Sequence, residues 1–158
     1  MKFLKELIFL IAITFSINAN ASPLTDENIN QFLVMYSNDY ATHSMRLVKG
    51  FKRYKDNFDY KSYTSFKNNE WLPKYKLEIA IYDNVLETNR KYLFDNGLTF
   101  LISNMSNLSL RANEMYFVLK NKDKNKFKPL SNLIQSDLVR LLDLFKERGI
   151  EFKPLVRN

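Results

Sequence analysis

His43 is the side chain best suited to acid–base chemistry, because it is the single histidine of the 158-residue chain. It could act as a general base or a pH-sensitive group, with Asp39 one helical turn earlier to orient its ring. The alternative is a buried histidine bonded to a tyrosine hydroxyl or a backbone carbonyl. No serine stands in a recognisable nucleophile turn. The sequence therefore favours the structural role over a hydrolase with His43 as base.

Metal and cofactor chemistry has little support in the sequence. With one histidine and no cysteine, a zinc site would have to consist mainly of carboxylates. Asp83 and Glu87 lie one turn apart and could hold a hard cation. Arg90 and Lys91 follow one turn later, which is typical of an ordinary ladder of surface charges. We expect no metal site, no cofactor and no catalytic residue.

Tyr36, Tyr40 and His43 share one face of the first predicted helix and could line a cavity. Tyrosine hydroxyls inside a helical bundle need partners and can give a cavity a polar lining. Met105 and Met115 on a facing helix would add an adaptable apolar wall. These residues predict, as an alternative function, a carrier of a small amphipathic ligand. Plain core packing would use the same residues.

A basic and aromatic stretch from Arg46 to Trp71 gives the leading functional prediction. Positive charge next to aromatic rings is typical of surfaces that meet membrane interfaces or acidic partners. A second basic cluster runs from Lys120 to Lys128. We predict a non-enzymatic binding protein whose partner-binding residues are Arg46, Lys49, Lys52, Arg53, Lys55, Tyr60, Tyr63 and Trp71.

The net charge limits the class of partner. The formal charge is +7, but lysine and asparagine occur 17 and 18 times, as the codon usage of an AT-rich genome would also produce. Solvated lysine-rich faces are therefore the alternative to a binding surface. The expected partner is an acidic protein or an anionic envelope surface, and nucleic acid is not expected outside the cytoplasm.

Residues 1–21 have the three-part layout of a secretory signal peptide. Lys2 and Lys5 precede the apolar run Leu7–Ile17, and small residues lead to a cleavage site after Ala21. The run is about half of the roughly 20 residues that a membrane span needs. We therefore expect a cleaved, periplasmic or secreted protein without a transmembrane span. The absence of cysteine favours the periplasm over a disulfide-rich extracellular setting.

Helical periodicity dominates the remainder of the chain. It predicts one helix over 25–56, a helix from Pro73 to Asp95 with Leu77, Ile81 and Val85 inward, a break at Gly97, and a last helix over 131–148. The alternative to the break is an uninterrupted helix through Gly97. The most regular pattern is a seam of seven residues at spacings of three and four: Leu98, Leu101, Met105, Leu108, Ala112, Met115 and Leu119.

These patterns predict the fold class. Each helix has one apolar face that must be buried against another helix, and the connections are short. We expect an all-α protein in which residues 22–158 form one domain, an antiparallel bundle of about four helices. The oligomeric state is left open by the sequence.

Overall fold

A computed structural model describes residues 23–151, so the predicted signal segment 1–21 lies outside the described residues. Within that range every regular element is helical, which confirms the all-α class. There are more helical segments than the four expected. They are α1 (Ile29–Lys55), α2 (Tyr60–Ser65), a π-helical segment (Phe66–Trp71), α3 (Leu72–Thr88), α4 (Arg90–Asp95), α5 (Phe100–Lys120), a 3-10 turn (Lys124–Lys126) and α6 (Phe127–Glu147).

Helix α1 runs unbroken through Gly50, as the sequence predicts. This glycine is used for close approach, because a Cβ at position 50 would overlap the ring of Phe66. Phe66 is buried and belongs to the π-helical segment. Gly50 therefore lets α1 and the π-helical segment pack together, which an alanine at this position would obstruct.

The π-helical segment joins α2 to α3 and keeps their buried residues on one face. Phe66 and Trp71 are five residues apart, which would place them on different faces of an α-helix, whereas i to i+5 bonding turns the chain more slowly. The amide of Leu72 donates to the carbonyl of Lys67 in this pattern. Pro73 then stands in the first turn of α3, where the sequence places it.

The predicted inward face of α3 is wrong at Leu77, which is 73% exposed. The face that packs inward instead carries Tyr75, Tyr82 and Leu86 and continues from Trp71, the residue just before α3; all four are buried. These side chains bury more apolar surface than the aliphatic stripe would, and the tyrosine hydroxyls find acceptors. The larger aromatic residues therefore set the orientation of α3.

Helix α5 is the centre of the core, and the seven-residue seam, which begins at Leu98 just before α5, is buried throughout, as predicted. Three tyrosine hydroxyls from three different elements donate to its backbone carbonyls. Tyr36 of α1 donates to Leu101 at 2.9 Å, Tyr75 of α3 to Met105 at 2.6 Å, and Tyr63 of α2 to Ala112 at 3.0 Å. Each buried phenol thus has a partner, which removes the cost of burying it.

Helix α6 starts at Phe127, four residues before the predicted start, and packs on α1 and α5. Leu130, Ile134, Leu141 and Phe145 are buried, whereas Leu142 is 41% exposed. Neither α6 nor any other helix within residues 23–151 is long and apolar enough to cross a membrane.

Four helical segments end in the same turn, a Schellman motif with one residue in the left-handed conformation. The sequence predicts two of these ends. At Gly149 (φ 65°), the amide of Ile150 donates to the carbonyl of Phe145 at 2.8 Å. At Gly97 (φ 68°) the same bonding ends α4, so the expected break is confirmed. The other two ends follow α1, at Phe58, and α5, at Lys122; they have no glycine and were not predicted.

Candidate functional site

The fold brings two basic segments that are far apart in sequence to one end of the molecule. Residues 49–61 contain the end of α1 and the start of α2, and residues 120–128 connect α5 to α6. The rings of Phe58 and Phe127 lie 5.8 Å apart across these segments, and the ring of Phe51 lies 5.3 Å from Phe127. We call the surface formed by residues 49–61 and 120–128 the cationic end.

The cationic end accounts for the net charge of the protein. Its two segments contain ten basic and three acidic residues, and this excess of seven equals the formal net charge of the whole chain. Basic and acidic residues therefore balance in the remainder of the sequence. A codon bias acting evenly along the chain would not concentrate the charge in this way.

Lysine side chains at the cationic end lie over aromatic rings. The Nζ of Lys124 lies 5.6 Å from the ring centre of Phe58, and that of Lys55 lies 5.9 Å from Phe127. Such cation–π contacts contribute about 0.5–1 kcal/mol each at exposed sites. These contacts hold two of the lysine ammonium groups next to packed aromatic rings.

A second aromatic group adjoins the cationic end on the side of α2. The rings of Tyr60 and Tyr116 meet edge to face at 6.0 Å. Lys67 and Lys120 both lie within 6 Å of the Tyr116 ring. With Lys61 and other neighbours, Tyr60, Lys67 and Tyr116 line an open depression of about 430 Å³. This depression offers ring faces and ammonium groups to the same partner.

The structure separates the eight predicted partner-binding residues into three groups. Lys49, Lys52 and Arg53 are exposed, while Lys55 and Tyr60 are half-buried at the cationic end. Arg46 is half-buried outside this surface, where its guanidinium donates to the carbonyl of Glu70 at 3.0 Å. The remaining two, Tyr63 and Trp71, are not on the surface.

Tyr63 and Trp71 are corrections to the predicted surface, because both are 0% exposed. The hydroxyl of Tyr63 donates to Ala112, and the indole N–H of Trp71 donates to the carbonyl of His43 at 3.1 Å. Burial raises the pKa of the Tyr63 phenol. Both polar groups are bonded internally, so these side chains cannot contact a partner.

Sequence reasoning omitted three aromatic residues of this surface, Phe58, Tyr116 and Phe127, from the predicted site. A local signal existed for Tyr116, which stands four residues before Lys120 on one helix face. The pairing of Phe58 with Phe127 had no such signal, because it depends on the turn after α1 meeting the start of α6 across the fold.

Tyr36, Tyr40 and His43 lie inside a packed core. The ring of Tyr36 lies 6.3 Å from Tyr40 and 5.2 Å from Tyr82. Tyr40 donates to a carboxylate oxygen of Asp137 at 3.0 Å. Burial raises the pKa of both phenols, and the charge of Asp137 adds to the effect at Tyr40. These side chains fill the space that a ligand would need.

His43 is bonded to a carboxylate rather than to the predicted phenol or carbonyl. Its Nε2 lies 2.5 Å from Oε2 of Glu78, whose side chain is 32% exposed. Asp39, the expected orienting group, instead accepts the hydroxyl of Tyr82 at 2.6 Å. The His43 ring lies edge to face against both Trp71 and Tyr75, whose own rings stack on each other at 4.5 Å. A substrate would have to displace Glu78 to reach Nε2.

Carboxylates in the described range do not gather into a metal centre. Within residues 23–151 there is no group of three or more His, Cys, Asp or Glu residues placed to hold a metal ion. Glu87 forms two short bonds to the Arg90 guanidinium, and these lower the pKa of the Glu87 carboxyl. Burial, and then Glu87, raise the pKa of Asp83. Glu87 is thus part of a surface ion pair.

Comparison with known proteins assigns no family. The chain matches no protein-family model, no curated protein and no solved structure.

Proposed function

We propose that this protein is an exported, non-enzymatic binding protein that uses its cationic end to contact an anionic surface of the cell envelope. The concentration of the whole net charge in residues 49–61 and 120–128 is the observation that carries the proposal. Each basic residue close to an anionic surface contributes about 1 kcal/mol of attraction.

The type of basic residue favours a diffuse anionic surface over an acidic protein. Nine of the ten basic residues at the cationic end are lysines. Arginine gives the planar, bidentate contacts that match single carboxylates, whereas lysine acts as a flexible point charge. Phe117 is 54% exposed beside Tyr116 and adds apolar area suited to a membrane interface.

Export is a second part of the proposal and is supported by the sequence of residues 1–21. We infer cleavage after Ala21 and a periplasmic location for the mature chain. N-terminal sequencing of the protein from a periplasmic fraction should begin at Ser22. Recovery of an uncleaved chain from the cytoplasm would contradict this part and leave the binding surface untested by it.

We also infer that the long helices α1, α3, α5 and α6 form the expected antiparallel bundle. Support comes from α1 and α6, where early α1 residues share a cavity with late α6 residues, as Ser37 does with Phe145. Late α1 residues share a cavity with early α6 residues, as Lys52 does with Ser131.

Vesicle binding tests the proposed partner. The protein should sediment with phosphatidylglycerol vesicles and not with phosphatidylcholine vesicles, and binding should weaken as salt is raised. Reversing Lys120, Lys122 and Lys124 to Glu should weaken binding by at least about 100-fold, because each lysine contributes about 1 kcal/mol.

A matched variant separates the surface from the net charge. Reversing Lys74, Lys76 and Lys91 to Glu makes the same change in total charge on exposed positions of α3 and α4. We expect it to retain most of the binding. Equal losses in the two variants would show that only net charge matters. If the protein binds neither kind of vesicle and an acidic protein crosslinks to the same lysines, the partner of the cationic end is that protein and not an anionic envelope surface.

A further inference from the structure

Helices α1 and α6 leave a narrow crevice between them. Two adjoining cavities of about 300 Å³ and about 120 Å³ share Leu138 as a wall. The small side chains of Ser37, Ala41 and Ser44 line the α1 bank, and the α6 bank carries Leu141 and Phe145. Small residues on one helix opposite large ones on the other leave room that side chains do not fill.

The crevice changes in chemistry along its length. The smaller cavity is lined by aliphatic and aromatic carbon apart from the hydroxyl of Ser37. The larger one ends at Lys49 and Lys52, where α1 reaches the cationic end. Neither lysine forms a salt bridge within residues 23–151. The crevice is thus apolar at one end and has two uncompensated positive charges at the other.

Large apolar side chains at the rim are left in solvent. Met45 of α1 is 53% exposed, and Leu142 of α6, on the opposite bank, is 41% exposed. Both residues line the crevice. A ligand lying between them would cover apolar surface that is otherwise in contact with water.

The dimensions favour a single acyl chain over a peptide helix. Ser37 and Lys52 are fifteen residues apart on one helix, a distance of about 22 Å at 1.5 Å per residue. One leaflet of a bilayer, the space that a lipid tail spans, is about 15 Å. The tail and its head group therefore fit the length. A peptide helix, at about 10 Å in diameter, is too wide for the smaller cavity.

We propose that this crevice binds one long-chain fatty acid. The carboxylate lies at Lys49 and Lys52, and the tail runs past Ala41 towards Leu142 and Phe145. Charge complementarity fixes the direction of the ligand. This site differs from the predicted cavity at Tyr36, Tyr40 and His43, and it does not depend on the cationic end binding a surface.

Fluorescence titration of the full chain with a dansyl-labelled fatty acid tests the site. Palmitate should displace the probe, whereas its methyl ester, which lacks the charge, should do so about tenfold less well. Ala41→Phe fills the crevice and should weaken probe binding at least about tenfold. Ala80→Phe, the same change on the exposed surface of α3, should have no effect.

A second pair of variants leaves the packing unchanged. Lys49→Gln with Lys52→Gln should weaken binding about three- to tenfold, because each partly exposed ion pair contributes up to about 1 kcal/mol. Lys74→Gln with Lys76→Gln is the matched control. The inference is overturned if palmitate fails to displace the probe, if Ala41→Phe binds normally, or if the methyl ester competes as well as the acid. Ala41→Phe carries no charge change and should bind vesicles normally, so the two proposals can fail separately.

Discussion

The two ends of the molecule close their helices with the same hydrogen-bonded turn but with different residues. At the end away from the charge, which we call the glycine-capped end, the left-handed position is held by Gly97 and Gly149. At the cationic end it is held by Phe58 and Lys122, with φ of 52° and 57°. A left-handed conformation costs an ordinary L residue roughly 1–2 kcal/mol. The cationic end therefore retains strain that the glycine-capped end avoids.

Contacts along α1 separate these two ends. Near the start of α1, Asp26 accepts the hydroxyl of Tyr92 at 2.7 Å. Burial and then Asp26 raise the pKa of Tyr92, and the charge of Arg148, just after α6, partly offsets the rise. Near the end of α1, Lys55 lies over Phe127 instead. The glycine-capped end is thus held by a hydroxyl–carboxylate bond, and the cationic end by a cation–π contact.

The difference indicates that Phe58 and Lys122 do more than close a turn. Glycine would close the turns at 58 and 122 with less strain, but it would remove a ring that meets Phe127 and Lys124 and a lysine of the charged surface. Local rules are broken most often where a surface has a function. This pattern is expected if the cationic end binds a partner.

Alkaline pH should have the largest effect and should act through the tyrosines buried in the core. Burial raises the pKa of Tyr63, which has an ordinary value near 10. Below about pH 10 this phenol is neutral in both states, so its contribution to stability is complete. Above that pH only the unfolded state ionises readily, and stability falls by up to about 1.4 kcal/mol per pH unit for each such tyrosine.

Urea unfolding at about pH 8 and about pH 11 measures this fall. Tyr63→Phe should reduce the pH dependence. Tyr92→Phe, at the glycine-capped end, should change it less, because Tyr92 is only half-buried. Equal effects of the two variants would contradict the conclusion that buried tyrosines such as Tyr63 cause the loss of stability at alkaline pH.

Gly50→Ala should cost the next largest amount of stability. Alanine is the better helix former by about 1 kcal/mol, but its Cβ would overlap the Phe66 ring. Overpacking of this kind costs about 1–3 kcal/mol. Urea midpoints should therefore fall for Gly50→Ala, and combining it with Phe66→Leu should recover part of the loss. A more stable Gly50→Ala variant would show that the ring moves aside freely.

Gly149→Ala should destabilise the glycine-capped end by about 1 kcal/mol, because only the left-handed backbone is affected. Thermal unfolding would show a lower melting temperature. Arg148→Ala, one residue away and not left-handed, is the control and should change stability less. An unchanged melting temperature for Gly149→Ala would mean that the turn opens without cost.

Lys122→Gly is the smallest change and the converse test. It should be more stable than Lys122→Ala by about 0.5–1 kcal/mol, since both variants lose the same charge and only glycine relieves the strained φ. Chemical denaturation of the two variants isolates that difference. If they are equally stable, the cationic end is not strained at this position.

The sequence predicts those parts of the fold that depend on neighbouring residues. The seam from Leu98 to Leu119 and the ends at Gly97 and Gly149 follow from periodicity and local turn chemistry, and the structure confirms them. The face of α3 does not follow in this way. Its orientation depends on phenols and an indole that find acceptors on other helices, and these acceptors are remote in sequence.

The same limit applies to the candidate surface. Composition identifies the basic segment around Lys49 to Lys55, but it cannot tell a half-buried surface residue such as Tyr60 from a fully buried one such as Tyr63. The partnership with residues 120–128 arises only when α5 and α6 return to the end of α1. Charge in two distant segments becomes one surface through the fold.

The three phenols that bond to carbonyls of α5 also determine how the bundle would respond to a pulling force. Three elements each bond to α5 through one tyrosine hydroxyl, from Tyr36, Tyr63 and Tyr75. Sliding α5 along its axis would therefore break all three bonds together. Helix α6 is joined to α1 by Tyr40 through a side chain, Asp137, that can swing with it. Under load we expect α6 to separate first, with α5 and its pinned neighbours remaining as the last intact unit.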